Sequence, residues 1–204
     1  MAVFEVPAND GDGYSSGNSE FISEADAPYD GFYLGFDGGV AHDGGWHFLS
    51  TGIPQGATIL TATMFVRNGP DNANLITGAW WGYLATTLNA FSGSDTTHRI
   101  SDHQARTAAS VVDSSWTVDV NHTSPPLVSI IQEVVNQVGF AGHIGLTWRN
   151  SATSGSVYWQ WRDYSGGPTL SAELTVTWSS GVTRTPAGVI VPVRRRLVRP
   201  SRRL

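Results

Sequence analysis

The chain has no cysteine among its 204 residues, which excludes disulfides, thiolate metal sites and thiol nucleophiles. It also has no lysine: all twelve basic residues are arginine, the first being Arg67. Charged residues are scarce, at 14% against the ~25% usual for soluble domains. No apolar run approaches the ~18 residues of a membrane-crossing helix, so no membrane partner is expected. The opening Met1-Ala2-Val3-Phe4-Glu5 lacks the basic and apolar regions of a secretory leader. The expectation is therefore a protein assembled inside a cell.

What is abundant is aromatic and turn-forming. There are eight Trp and 23 Gly, and β-branched and aromatic stretches alternate with Gly-, Asn-, Asp- and Ser-rich ones. Leu170 to Trp178 alternates apolar and polar residues, the period-two pattern of a strand with one buried face. Ala57 to Arg67 is apolar or Thr on both faces, with Leu60, Ala62, Met64 and Val66 on one, which suits a central strand. Further strands are expected at 32–36, 46–49, 79–84, 116–120, 144–148 and 157–162. Asn68 to Asn72 and Asn9 to Gly13 are expected as turns.

A single helix is expected over 124–138. Ser124 suits the N-cap and Pro125 the first turn. Leu127, Ile130, Ile131, Val134 and Val138 then form one apolar stripe, and Gly139 suits the stop. Many short strands and one amphipathic helix define an all-β fold, a jelly-roll-like β-sandwich over residues 1–178. Residues 179–204, broken by Pro186 and Pro192, read as an extended C-terminal arm.

Charge is segregated along the chain. Arg194, Arg195, Arg196, Arg199, Arg202 and Arg203 give residues 194–204 a charge of +6, with no acid among them. The other six arginines face all seventeen acids, so residues 1–193 carry −11 beneath the net −5. A basic arm seeks an anionic partner. Six arginines on duplex DNA would give a salt slope up to about −5, but the acidic body opposes nucleic acid. An acidic protein neighbour, such as a second copy, fits better, because Arg makes bidentate carboxylate contacts. Val189, Ile190, Val191 and Val193 could add β-pairing to those contacts.

Several phrases carry a family likeness. They are Ile53-Pro54-Gln55-Gly56-Ala57-Thr58-Ile59, Ala90-Phe91, Arg106-Thr107-Ala108 with Val111 and Trp116, and the helix phrase from Ser124 to Phe140. Together they resemble the jelly-roll modules related to the DNRLRE type, found in bacterial surface proteins and phage virion proteins. The resemblance implies a jelly roll over roughly residues 1–178 and a place in a virion beside other virion proteins. It supplies no catalytic residues.

No nucleophile elbow, zinc-protease helix, phosphate loop or dinucleotide fingerprint is present, so no enzyme is expected. His98 and His103, near Asp95 and Asp102, read as a polar loop, and Glu133 as an ordinary helix-surface residue. Asp10 and Asp12, with Glu20, could hold a structural calcium through oxygen ligands; no other cofactor is implied. Trp159 and Trp161 share one strand face, and one ring of the Trp80-Trp81 pair must face away from the core or into a neighbour. Exposed, these four would stack on sugars. The expected function is thus a non-enzymatic phage virion structural protein, a capsid decoration or tail- or adhesion-associated homo-oligomer docking on neighbouring subunits through its arm. The alternative is a carbohydrate-binding module for host glycans.

Overall fold

The computed structural model describes residues 2–5, 12–16, 19–22, 32–72, 75–85, 88, 105–151, 157–162 and 171–179. Their elements are β1 (Ala2–Glu5), β2 (Asp12–Ser16), β3 (Ser19–Ile22), β4 (Phe32–Asp37), β5 (Val40–Phe48), β6 (Thr58–Val66), β7 (Asn68–Asn72) and β8 (Gly78–Tyr83). These are followed by β9 (Arg106–Asp113), β10 (His122–Thr123), α1 (Val128–Val135), β11 (Ile144–Asn150), β12 (Val157–Trp161) and β13 (Glu173–Ser179). One sheet runs β1-β13-β6-β10; the other runs β7-β12-β4-β5-β11-β8-β9, with the β2–β3 hairpin paired to β5. Every ladder among the described residues is antiparallel. The protein is a jelly-roll-like β-sandwich, with one short helix among the described residues.

The inner faces meet in one core. The smaller sheet contributes Ala62, Met64, Val66, Leu174 and Val176. The larger contributes Leu34, Trp46, Phe48, Trp80, Leu146, Trp148, Trp159 and Trp161. Six of the eight Trp are at most 1% exposed, so the aromatic abundance of the sequence is core material.

As expected, β6 is a central strand, flanked by β13 and β10. Its alternation breaks at Leu60, which is 57% exposed. The reason is a bulge: Thr177 pairs with Thr61 but Trp178 with Ile59. The residue left over shifts the pleat phase and turns outward.

The helix is shorter than expected. It starts at Val128, and its N-cap Leu127 makes no side-chain cap bond. Ser124 does something else. Its N–H donates to the Met64 carbonyl at 2.8 Å, and its Oγ accepts from the Met64 N–H at 2.9 Å. Ser124 therefore extends the sheet beside β6. Val138, assigned to the apolar stripe, is 91% exposed because the helix ends first; Val135 is buried instead. Two further expectations are corrected. Residues 116–120 are a loop, and Asn68–Asn72, read as a turn, is strand β7 against β12. An eight-residue helix is marginal alone, so packing holds α1. At Gly82 on β8, an added Cβ would meet Val134, Thr107 and Ile130. Only glycine lets the helix lie this close to the strand.

Candidate functional site

The loop after β9 folds back and buries its own Trp116. This brings His122 to Asp113, with Nε2 2.7 Å from Oδ2. Trp80 Nε1 donates to the same oxygen at 2.8 Å. The Ser115 N–H and Oγ donate to Oδ1 at 3.1 and 2.8 Å. Trp116 stacks on His122, centroids 3.6 Å apart and rings 14° from parallel. The side chains of His122 and Asp113 are 3% and 0% exposed.

Burial alone would push the Asp113 carboxyl up. The bonds from His122, Trp80 and Ser115, and the nearby His122 ring, outweigh it and hold Asp113 below the usual carboxylate range. An ionised carboxylate has no proton to give, so His122 Nε2 carries the hydrogen in this contact. The arrangement has the parts of an acid–base dyad but not the access. Trp80 and Trp116 pack against it, and the Ser115 hydroxyl donates to the aspartate. The node pins the 114–121 loop.

A second polar device joins the sheets. Gln132 Oε1 accepts the Ile59 N–H at 2.9 Å, and its Nε2 donates to the Ala57 carbonyl at 2.9 Å. One residue on, the two Glu133 oxygens accept the N–H groups of Ala108 and Ala109 at 2.8 and 3.0 Å. Successive helix residues thus clamp β6 of one sheet and β9 of the other. Glu133, read as an ordinary surface residue, is a sheet-edge cap.

The outer face of the large sheet carries a third cluster. Arg149 Nε donates to Asp43 Oδ2 at 3.1 Å, and the Asn150 N–H to Oδ1 at 2.9 Å. Burial still raises the Asp43 carboxyl above its ordinary value, outweighing those bonds. Arg106 lies 5.4 Å from the Trp81 ring centroid, a cation–π contact.

The glycan-stacking assignment needs correction for three of its four residues. Trp80, Trp159 and Trp161 are 0% exposed, packed among Trp46, Trp116 and Trp148. Period two correctly placed Trp159 and Trp161 on one face, but that face is the core. Trp81, on the opposite face from Trp80, is half-buried under Arg106.

Of the calcium candidates, Asp10 lies outside the described residues. Asp12 is wholly buried on β2, a strand where a turn was expected. Glu20 pairs in register with Ser15, three positions along from Asp12. Among the described residues no three His, Asp or Glu gather as a metal site. His98 and His103, and the whole arm set from Val189 to Arg203, lie outside the described residues.

Sequence reasoning missed Asp113, His122 and Trp116 as a unit. Asp113 and His122 are nine residues apart, a spacing that matches neither a helix turn nor a strand pleat. No protein-family model matches the chain, and no curated protein matches its sequence. Fold and site together define a β-sandwich in which the buried Asp113–His122 pair holds a loop while Gln132 and Glu133 hold sheet edges.

Proposed function

We propose that the chain is a non-enzymatic structural protein of a phage virion, docking on acidic protein neighbours through its arginine-rich C-terminal arm. The observation that carries this reading is the charge segregation, +6 on residues 194–204 against −11 on the rest. The enclosed Asp113–His122 node supports it. The buried Asp113–His122 pair is taken up by structural bonds from Trp80 and Ser115. A rigid sandwich with a separate charged segment suits assembly better than turnover. The virion setting comes from the family resemblance. Glycan recognition is the second reading, and it now rests on Trp81 alone, one side of whose ring Arg106 takes.

The test is mass spectrometry of purified particles, with the chain counted against the major shell protein. Hundreds of copies per particle mean a shell component, and a few mean a tail or adhesion part. Absence refutes the reading. A chain ending at Ser180 should fold and fail to join particles; incorporation of that chain would refute docking through the arm.

A further inference from the structure

A β-sandwich has sheet edges, and an open edge is a template for another strand. In this protein most edges are closed by specific bonds. Beyond β10, the free side of β6 is sealed by Ser124 at Met64, by the Leu127 N–H on Ala62 and by Gln132 at Ala57 and Ile59. The β9 edge is capped by Glu133. On β7, the Asn68 N–H is taken by Asn121 Oδ1 at 2.9 Å, and Pro70 has no N–H to offer.

Among the described residues the edge of β1 has none of these devices. Among the described residues, Ala2–Glu5 pair only with β13. Val3 is 48% exposed. Glu5 sits in register with Glu173, a like-charge pairing that is unfavourable on its own. Arg67 bonds Glu173, while Glu5 is exposed and makes no ion pair among the described residues. The edge therefore offers a row of backbone groups about four residues long, with a negative charge at its end.

We propose that the β1 edge receives the C-terminal segment of a second copy of this chain, Val189–Val193 adding as a strand. This deepens the docking reading above and rests on it. The occupant follows from three facts. The chain runs 25 residues beyond Ser179, enough to leave its own body. Val189, Ile190, Val191 and Val193 match the length and apolar character of the row. Arg194–Arg196 follow at once. With the donated strand parallel to β1, they arrive beside Glu5, across β1 from Glu173, and offset that repulsion. Among the described residues β1 pairs on one side only; the strand on its free side is assigned to a second copy, which the doubly substituted chain distinguishes from the same copy. Contact of this kind is head-to-tail and propagates from copy to copy.

The natural absence of cysteine makes the test clean. Full-length Val3→Cys and Val191→Cys proteins are mixed under mild oxidation, with Ser19→Cys on the β3 edge as control. The expected result is a disulfide between Val3→Cys and Val191→Cys chains, at least tenfold over Ser19→Cys. An intramolecular disulfide in the doubly substituted monomer, or equal linking to β3, would overturn the proposal. In sedimentation, Glu5→Arg should weaken self-association at least tenfold, and Arg194→Glu with Arg195→Glu and Arg196→Glu likewise. Combining the two sets should restore it. If the arm variants dissociate the assembly while Glu5→Arg does not, this surface is wrong and docking by the arm stands. If neither does, both fail.

Discussion

Replacing Asp113 by Asn keeps the shape of the buried node and removes its charge. An amide offers one oxygen and one NH2, whereas the carboxylate meets donors at both ends: Trp80 Nε1 and His122 at Oδ2, the Ser115 N–H at Oδ1. Whichever way the amide turns, one buried N–H faces another donor, at a cost of about 1–3 kcal/mol. The remaining contacts fall from charge-assisted to neutral bonds, about 1 kcal/mol more. The expected loss is about 3 kcal/mol, or roughly 6–12 °C in Tm for a chain of this size. Calorimetry at pH 7 measures it, with Trp80→Phe as the second arm of a double-mutant cycle. The sign with pH also follows. The folded pKa of Asp113 lies below the unfolded one. Its contribution is thus complete above about pH 4 and is lost as pH falls through the depressed value. Asp113→Asn should lack that part of the acid limb. A loss under about 0.5 kcal/mol, or an equal loss with and without the Trp80 indole, would refute the assignment of Asp113 as the hub.

Glu133→Ala leaves the Ala108 and Ala109 N–H groups to water and should cost about 1–2 kcal/mol in urea unfolding, with Glu133→Gln costing about half of that. Gly82→Ala forces α1 off β8 and should cost about 2 kcal/mol or more, whereas Gly38→Ala, where an added Cβ meets nothing, should cost far less despite its positive φ. Burial holds His42 below the ordinary histidine value, against the pull of Asp37 and Asp43. The unfolded chain therefore takes up that proton first, and stability should decline as pH drops below about 6.5; His42→Gln should flatten this decline. Trp81→Ala should change stability by under about 1 kcal/mol, and on a glycan array it should abolish any signal the wild type gives. A signal that survives it would place sugar recognition elsewhere.

Much of the sandwich was legible in the chain. Period-two alternation located β13 and β6, since a strand at a core surface shows its buried face in every second residue. The Trp159-Gln160-Trp161 spacing gave the shared face for the same reason. The helix was found by its stripe, but its ends were not. Ser124 and Pro125 are good capping residues in isolation, yet Ser124 bonds more favourably along β6, and the helix starts four residues later. Leu60 escaped the alternation because a bulge is set by the partner strand, which lies over a hundred residues away.

Composition and local pattern determined an all-β protein with an aromatic core, no thiol chemistry, and a basic terminus on an acidic body. Each of these depends on residue types and near neighbours alone. The tertiary structure decided which Trp are covered, that Asp113 and His122 meet, that Glu133 caps a sheet edge, and that among the described residues β1 pairs only with β13. Those properties arise from contacts between segments far apart in the chain, where burial and the completion of backbone hydrogen bonds override local preference.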